Sequence, residues 1–97
     1  MKKIMILGAS ILQLPAIKKA KEMGLEVVVV DMNPDAVGFQ TEGIEKEIIS
    51  TIDIPEIVKA AKRHSSIRVL NDPNLYKELF SMIKRKQLGI KRIIDLS

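Results

Sequence analysis

The sequence predicts a single α/β domain, three layers deep, built on a mainly parallel sheet of four to five strands. Three observations carry that expectation. Short apolar runs alternate with amphipathic stretches along the whole chain, the pattern of strands joined by helical crossovers. Turn residues mark nearly every junction between them. The chain has 97 residues, 46% hydrophobic and 29% charged, which suits one packed core and not two.

The elements follow in order. Lys3 to Leu7 reads as a first strand, apolar throughout Ile4-Met5-Ile6-Leu7, as strands covered on both faces are. Gly8-Ala9-Ser10 ends it. From about Leu14 to Met23, Ile17, Ala20 and Met23 share one helical face, with Lys18, Lys19, Lys21 and Glu22 elsewhere. The start of this helix has two readings. Ser10 with Gln13 fits a capping box, which would place Pro15 inside the helix. Pro15 as the first helical residue leaves Ala9 to Leu14 as a loop. Gly24 stands where a left-handed cap is wanted.

Val27-Val28-Val29-Val30 is the plainest strand, because four consecutive β-branched residues resist a helix. Asp31 follows at its carboxyl end, and Asn33-Pro34-Asp35 with Gly38 marks a loop. Glu47 to Ser50 is expected as a short strand. Asp53-Ile54-Pro55-Glu56 opens a second helix with an acidic cap, an early Pro and an acid at the third position. Ile54, Ile57, Val58 and Ala61 supply its buried stripe. Ile67 to Leu70 reads as a strand, about Leu75 to Gln87 as a third helix stopped by Gly89, and Ile90 to Leu96 as a last strand. Such alternation implies parallel strands, right-handed crossovers and helices on both faces.

Composition narrows the function. No cysteine is present, which removes disulfide and thiolate chemistry and fits a cytoplasmic setting. The run from Val27 to Val30 is far too short to cross a bilayer, so no membrane partner is expected. Gly8, Ser10 and Gln13 interrupt what would be a secretory signal core. The net charge of +4 falls entirely in residues 68–97. Lys84-Arg85-Lys86 suits a helix C-terminus, and with no Trp, one Tyr and two Phe there is little for bases to stack on. Nucleic acid is therefore not the expected partner.

In open parallel sheets, ligands bind beyond the carboxyl ends of the strands. Two segments with useful chemistry lie there: Gly8-Ala9-Ser10, and Asp31 to Asp35. Gly8 allows a tight turn, and amides at the following helix start suit an anion. Asp31 stands 23 residues after Gly8, near the spacing of a ribose-binding acid in dinucleotide folds. The G-x-G-x-x-G fingerprint is not met, since positions 10 and 13 are Ser and Gln, and no P-loop follows. The single histidine, His64, reads as a solvated cap beside Lys62 and Arg63. No catalytic set and no metal-ligand spacing is present, so the chain is expected to lack a self-sufficient catalytic site.

Ile6-Leu7-Gly8-Ala9-Ser10, the helix end Lys19-Ala20-Lys21-Glu22-Met23-Gly24, and Glu26 through Ala36 with Gly38 together resemble the opening of ATP-grasp ligases. The likeness is to their N-terminal, biotin-carboxylase-like domain, over about residues 3–67. Gln13-Leu14-Pro15 and Ser50-Thr51-Ile52-Asp53 look most like carbamoyl-phosphate-synthase-like members. The resemblance implies a Rossmann-like domain that does not bind a dinucleotide. Its glycine loop helps to hold the acceptor substrate, a small anion, while ATP and magnesium belong to an ATP-grasp domain absent from residues 1–97.

Carried over by position, the substrate-binding residues are Gly8, Ala9, Ser10, Asp31 and Asn33, with Ser10 standing where the family often has a second glycine. The implied role is the substrate-side domain or fragment of a carboxylate–amine ligase, inactive alone and assembling with an ATP-grasp partner. Two other readings stay open: a stand-alone nucleotide- or dinucleotide-binding module, and a non-enzymatic homodimer paired through the edge strand Ile90 to Leu96.

Overall fold

A computed structural model of the protein describes residues 2–65 and 93–96. In these residues the strand β1 (Lys3–Leu7) is followed by the helix α1 (Leu14–Glu22) and the strand β2 (Glu26–Asp31). A 3₁₀ turn at Val37–Gln40, the strand β3 (Glu45–Ile48), the helix α2 (Ile54–His64) and the strand β4 (Ile93–Asp95) complete the order. The strand expected at Ile67 to Leu70 and the helix expected at about Leu75 to Gln87 lie outside the described residues.

The fold is α/β; among the described residues it is built around a four-stranded sheet of order β3-β2-β1-β4. β1 pairs with β2 in parallel, Ile4 opposite Val27 and Leu7 opposite Val30. β2 pairs with β3 in parallel, Val28 opposite Glu45 and Asp31 opposite Ile48. β4 runs antiparallel to β1, Ile4 opposite Asp95 and Ile6 opposite Ile93. The sheet is thus mixed, which corrects the expectation of a mainly parallel one. Strand–helix alternation sets direction only where one helical crossover joins two strands, as α1 joins β1 to β2. An antiparallel edge strand on an otherwise parallel core is a common outcome.

The pleat of β1 and β2 divides the core in two. Met5, Leu7, Val28 and Val30 face one way and pack with Ile57, Val58, Ala60 and Ala61 of α2 and with Ile94 and Leu96. Ile4, Ile6, Val27 and Val29 face the other way and pack with Ile17 and Ala20 of α1 and with Phe39 of the 3₁₀ turn. All four valines of β2 are buried, each contributing about 1.5 kcal/mol or more. This double burial is why the run carries no alternation.

Helix ends follow local chemistry. Gly24 takes φ +76°; the Leu25 amide donates to the Ala20 carbonyl and the Gly24 amide to that of Lys21, a Schellman closure of α1. Asp53 caps α2 by accepting from the Glu56 amide at 3.4 Å. Pro15 is the second residue of α1, whose cap Gln13 makes no capping bond to the helix. β3 starts two residues before the expected Glu47, since its place is set by pairing with β2; none of its residues is buried.

Candidate functional site

The carboxyl ends of β1 and β2 are adjacent because the strands are parallel neighbours. Their two loops are tied together by one side chain. Oδ2 of Asp31 accepts the Ala9 amide at 2.9 Å, and its Oδ1 accepts the Asn33 amide at 2.9 Å. Asn33 Oδ1 then accepts the Asp35 amide at 3.0 Å, so the acidic loop is a pair of successive Asx turns. The Ile49 amide donates to the Asp31 carbonyl at 3.1 Å, which joins the end of β3 to the same corner.

Gly8 leaves β1 with φ +107°, a conformation that side-chain-bearing residues rarely adopt. Its amide donates to the Val30 carbonyl at 2.6 Å. The Gln13 carboxamide lies against it: a Cβ on Gly8 would stand 2.9 Å from Gln13 Cδ. Gln13 Oε1 accepts the Ser10 amide at 3.1 Å and the Ser10 hydroxyl, while Ser10 Oγ accepts the Leu12 amide at 3.2 Å. Ser10 and Gln13 do pair, but they form their own turn ahead of α1 and are not its capping box. The Ala9, Ser10, Leu12 and Gln13 amides therefore each have an acceptor within the chain.

Gly8, Ala9, Ser10, Asp31 and Asn33 thus come together on one rim. Ala9 is fully buried, whereas Ser10 and Asn33 are exposed. Two further residues shape the rim. Gln13 fills the space above Gly8, a part that its spacing from Ser10 hinted at. Gly38 donates its amide to the Ala9 carbonyl at 2.7 Å, and a Cβ there would come within 2.8 Å of that oxygen and of Ile17 Cδ1. In the sequence Gly38 reads only as a loop residue, and nothing local signals a contact with Ala9. Ile11, Leu12 and Met32 project from the same loops and are largely exposed.

His64 is not a solvated cap. Its ring is 14% exposed and sits between two carboxylates of β3, with Nδ1 2.9 Å from Glu45 Oε2 and Nε2 2.9 Å from Glu47 Oε1. Arg63 also reaches Glu47, at 2.9 Å. Partial burial pushes the Glu47 carboxyl up, but hydrogen bonds from His64 and Arg63, with their charge, outweigh it and hold the group below its ordinary value. Among the described residues no group of three or more His, Cys, Asp or Glu side chains is arranged so that it could hold a metal ion. No protein-family model, curated protein or solved structure matches this chain.

Proposed function

We propose that the chain is a Rossmann-like, substrate-side domain of an ATP-grasp carboxylate–amine ligase, carbamoyl-phosphate-synthase-like in character and inactive alone. The observation that carries this reading is the Asp31 bridge, which fixes the glycine loop and the acidic turn as one rim at the carboxyl ends of β1 and β2. The Ser10 hydroxyl and Asn33 carboxamide on that rim are neutral polar groups suited to a small carboxylate or bicarbonate. ATP and magnesium, held by a partner ATP-grasp domain, would activate the carboxylate; the exposed Ile11, Leu12 and Met32 suit burial against such a domain.

The same bridge weighs against a dinucleotide module. Both carboxylate oxygens of Asp31 already accept backbone amides, and the Gln13 carboxamide covers Gly8, where a pyrophosphate would need close approach. The test has two arms. The purified chain, given ATP, magnesium and bicarbonate or small carboxylates, is expected to show no turnover; robust hydrolysis would sink the claim of inactivity. Titrating the 15N-labelled chain with millimolar bicarbonate and small carboxylates is expected to shift Gly8 to Gln13 and Asp31 to Asp35. Micromolar binding of NAD or FAD, lost in Asp31→Ala, would favour the dinucleotide reading instead.

A further inference from the structure

We propose that Gln13 is the residue of the rim that binds the ligand's charged end: its carboxamide nitrogen, set over Gly8, donates to an oxygen of a monoanionic carboxylate. This rests on the substrate-side reading above and assigns its anion contact to one side chain. The backbone of the glycine loop does not make that contact. The Ala9, Ser10, Leu12 and Gln13 amides each have an acceptor within the chain. The Ser10 hydroxyl gives its one proton to Gln13 Oε1, so its part is to hold Gln13. No Lys or Arg stands in residues 8–13 or 32–36, and the rim loops therefore offer neutral donors.

Chemistry decides which way the Gln13 carboxamide faces. A backbone amide only donates, so the atom that the Ser10 amide meets at 3.1 Å is the oxygen. The Ser10 hydroxyl donates to the same oxygen. Nε2 is left as a donor with no acceptor among the described residues. It is also open to solvent, because no buried side-chain nitrogen or oxygen among those residues lacks a partner.

The side chain is held more firmly than the helix start needs. Gln13 makes no capping bond to α1. Yet its Cδ, Oε1 and Nε2 all lie within 3.2 Å of the point where a Cβ on Gly8 would stand, so only glycine leaves room for the carboxamide. A half-buried glutamine held in this way has given up rotamer freedom before a ligand arrives, which is what a preorganised donor requires.

Asn33 repeats the arrangement across the Asp31 bridge. Its Oδ1 accepts the Asp35 amide at 3.0 Å, which leaves Nδ2 without an acceptor among the described residues. Neutral donors beside the Asp31 carboxylate favour a ligand of single charge. A phosphate dianion would meet that carboxylate with no cation on the loops to offset it, whereas acetate-like groups and bicarbonate carry one charge and accept through either oxygen.

Titration of the whole 15N-labelled chain at neutral pH tests the assignment, with acetate, bicarbonate and inorganic phosphate compared against chloride at equal ionic strength. Acetate and bicarbonate are expected to move the Gln13 side-chain amide signals together with Gly8 to Gln13, and phosphate to leave them in place. Gln13→Glu keeps an oxygen for Ser10 but replaces the donor with a like charge, and should weaken carboxylate binding on the order of tenfold. Gln13→Met covers Gly8 with no donor and should show a comparable loss; the unfolding midpoint of each variant reports that it is folded. Undiminished carboxylate binding in a folded variant would overturn the role of Gln13 and leave the substrate-side reading standing. A larger response to phosphate than to acetate would overturn the choice of ligand, and a wild-type rim that responds to no carboxylate would overturn both the assignment and the reading beneath it.

Discussion

Replacing Asp31 with alanine tests the rim at its centre. The substitution removes the acceptor of two amides, each 2.9 Å from a carboxylate oxygen. The two losses are unequal. Asn33 is exposed, so water takes over its amide and the cost there is about 0.5 kcal/mol. Ala9 is fully buried, under Gly38 and against Ile17, and an orphaned buried amide costs about 1–3 kcal/mol. Together the expected loss is about 2 kcal/mol. With a urea m-value of roughly 1 kcal/mol/M for so short a chain, the unfolding midpoint should fall by about 2 M with little change in slope. Asp31→Asn keeps one acceptor oxygen and should lose about half as much. If Asp31→Ala unfolded within about 0.5 kcal/mol of wild type, Ala9 would not depend on the carboxylate. Asp31 would then be a group free for ligand and not a brace.

Three other outcomes are expected. Gly8→Ala combines an unfavourable positive φ with a 2.9 Å approach to Gln13 Cδ, and should cost about 2 kcal/mol; adding Gln13→Ala should recover only the steric part, which denaturation of the double variant measures. Gly38→Ala puts its methyl 2.8 Å from the backbone oxygen of Ala9, which has little room to yield, and should lower the melting temperature by about 10 °C. Glu47 is held below its ordinary value by His64 and Arg63, so its contribution is present above the unfolded-state value and is lost as pH falls through the lower folded one. Glu47→Gln should flatten that acid limb in stability measured from neutral to acidic pH.

What the sequence made legible were features whose signal is local. The run Val27 to Val30 could only be a doubly covered strand, and Asp53-Ile54-Pro55-Glu56 spelled out a helix start that the structure matches at Ile54. Gly8, Asp31 and Asn33 were legible as loop residues at strand ends, because parallel topology alone brings those ends together. The features that escaped depend on distant partners. β3 carries Glu45-Lys46-Glu47, with no apolar pattern to mark its ends, so pairing with β2 set its bounds. His64 read as a helix cap because the carboxylates that bracket it are 17 and 19 residues away. Gly38 read as a turn for the same reason: its close contact with Ala9 crosses from one loop to another. The direction of β4 could not come from alternation, because a parallel core commonly carries an antiparallel edge strand.

That reversed strand has a practical consequence. Because β4 is antiparallel to β1, the Leu96 amide donates to the Lys3 carbonyl at 2.8 Å, and Lys2 and Asp95 stand 3.4 Å apart. The first and last described residues therefore meet at one corner, at the amino end of β1 and away from the rim. A short linker across that corner, with new termini cut between the exposed Glu42 and Gly43, would give a circular permutant whose rim loops are unbroken. In such a protein a tag or a fused domain would enter beside β3, and the order of strands along the chain would change while their order in the sheet stayed the same.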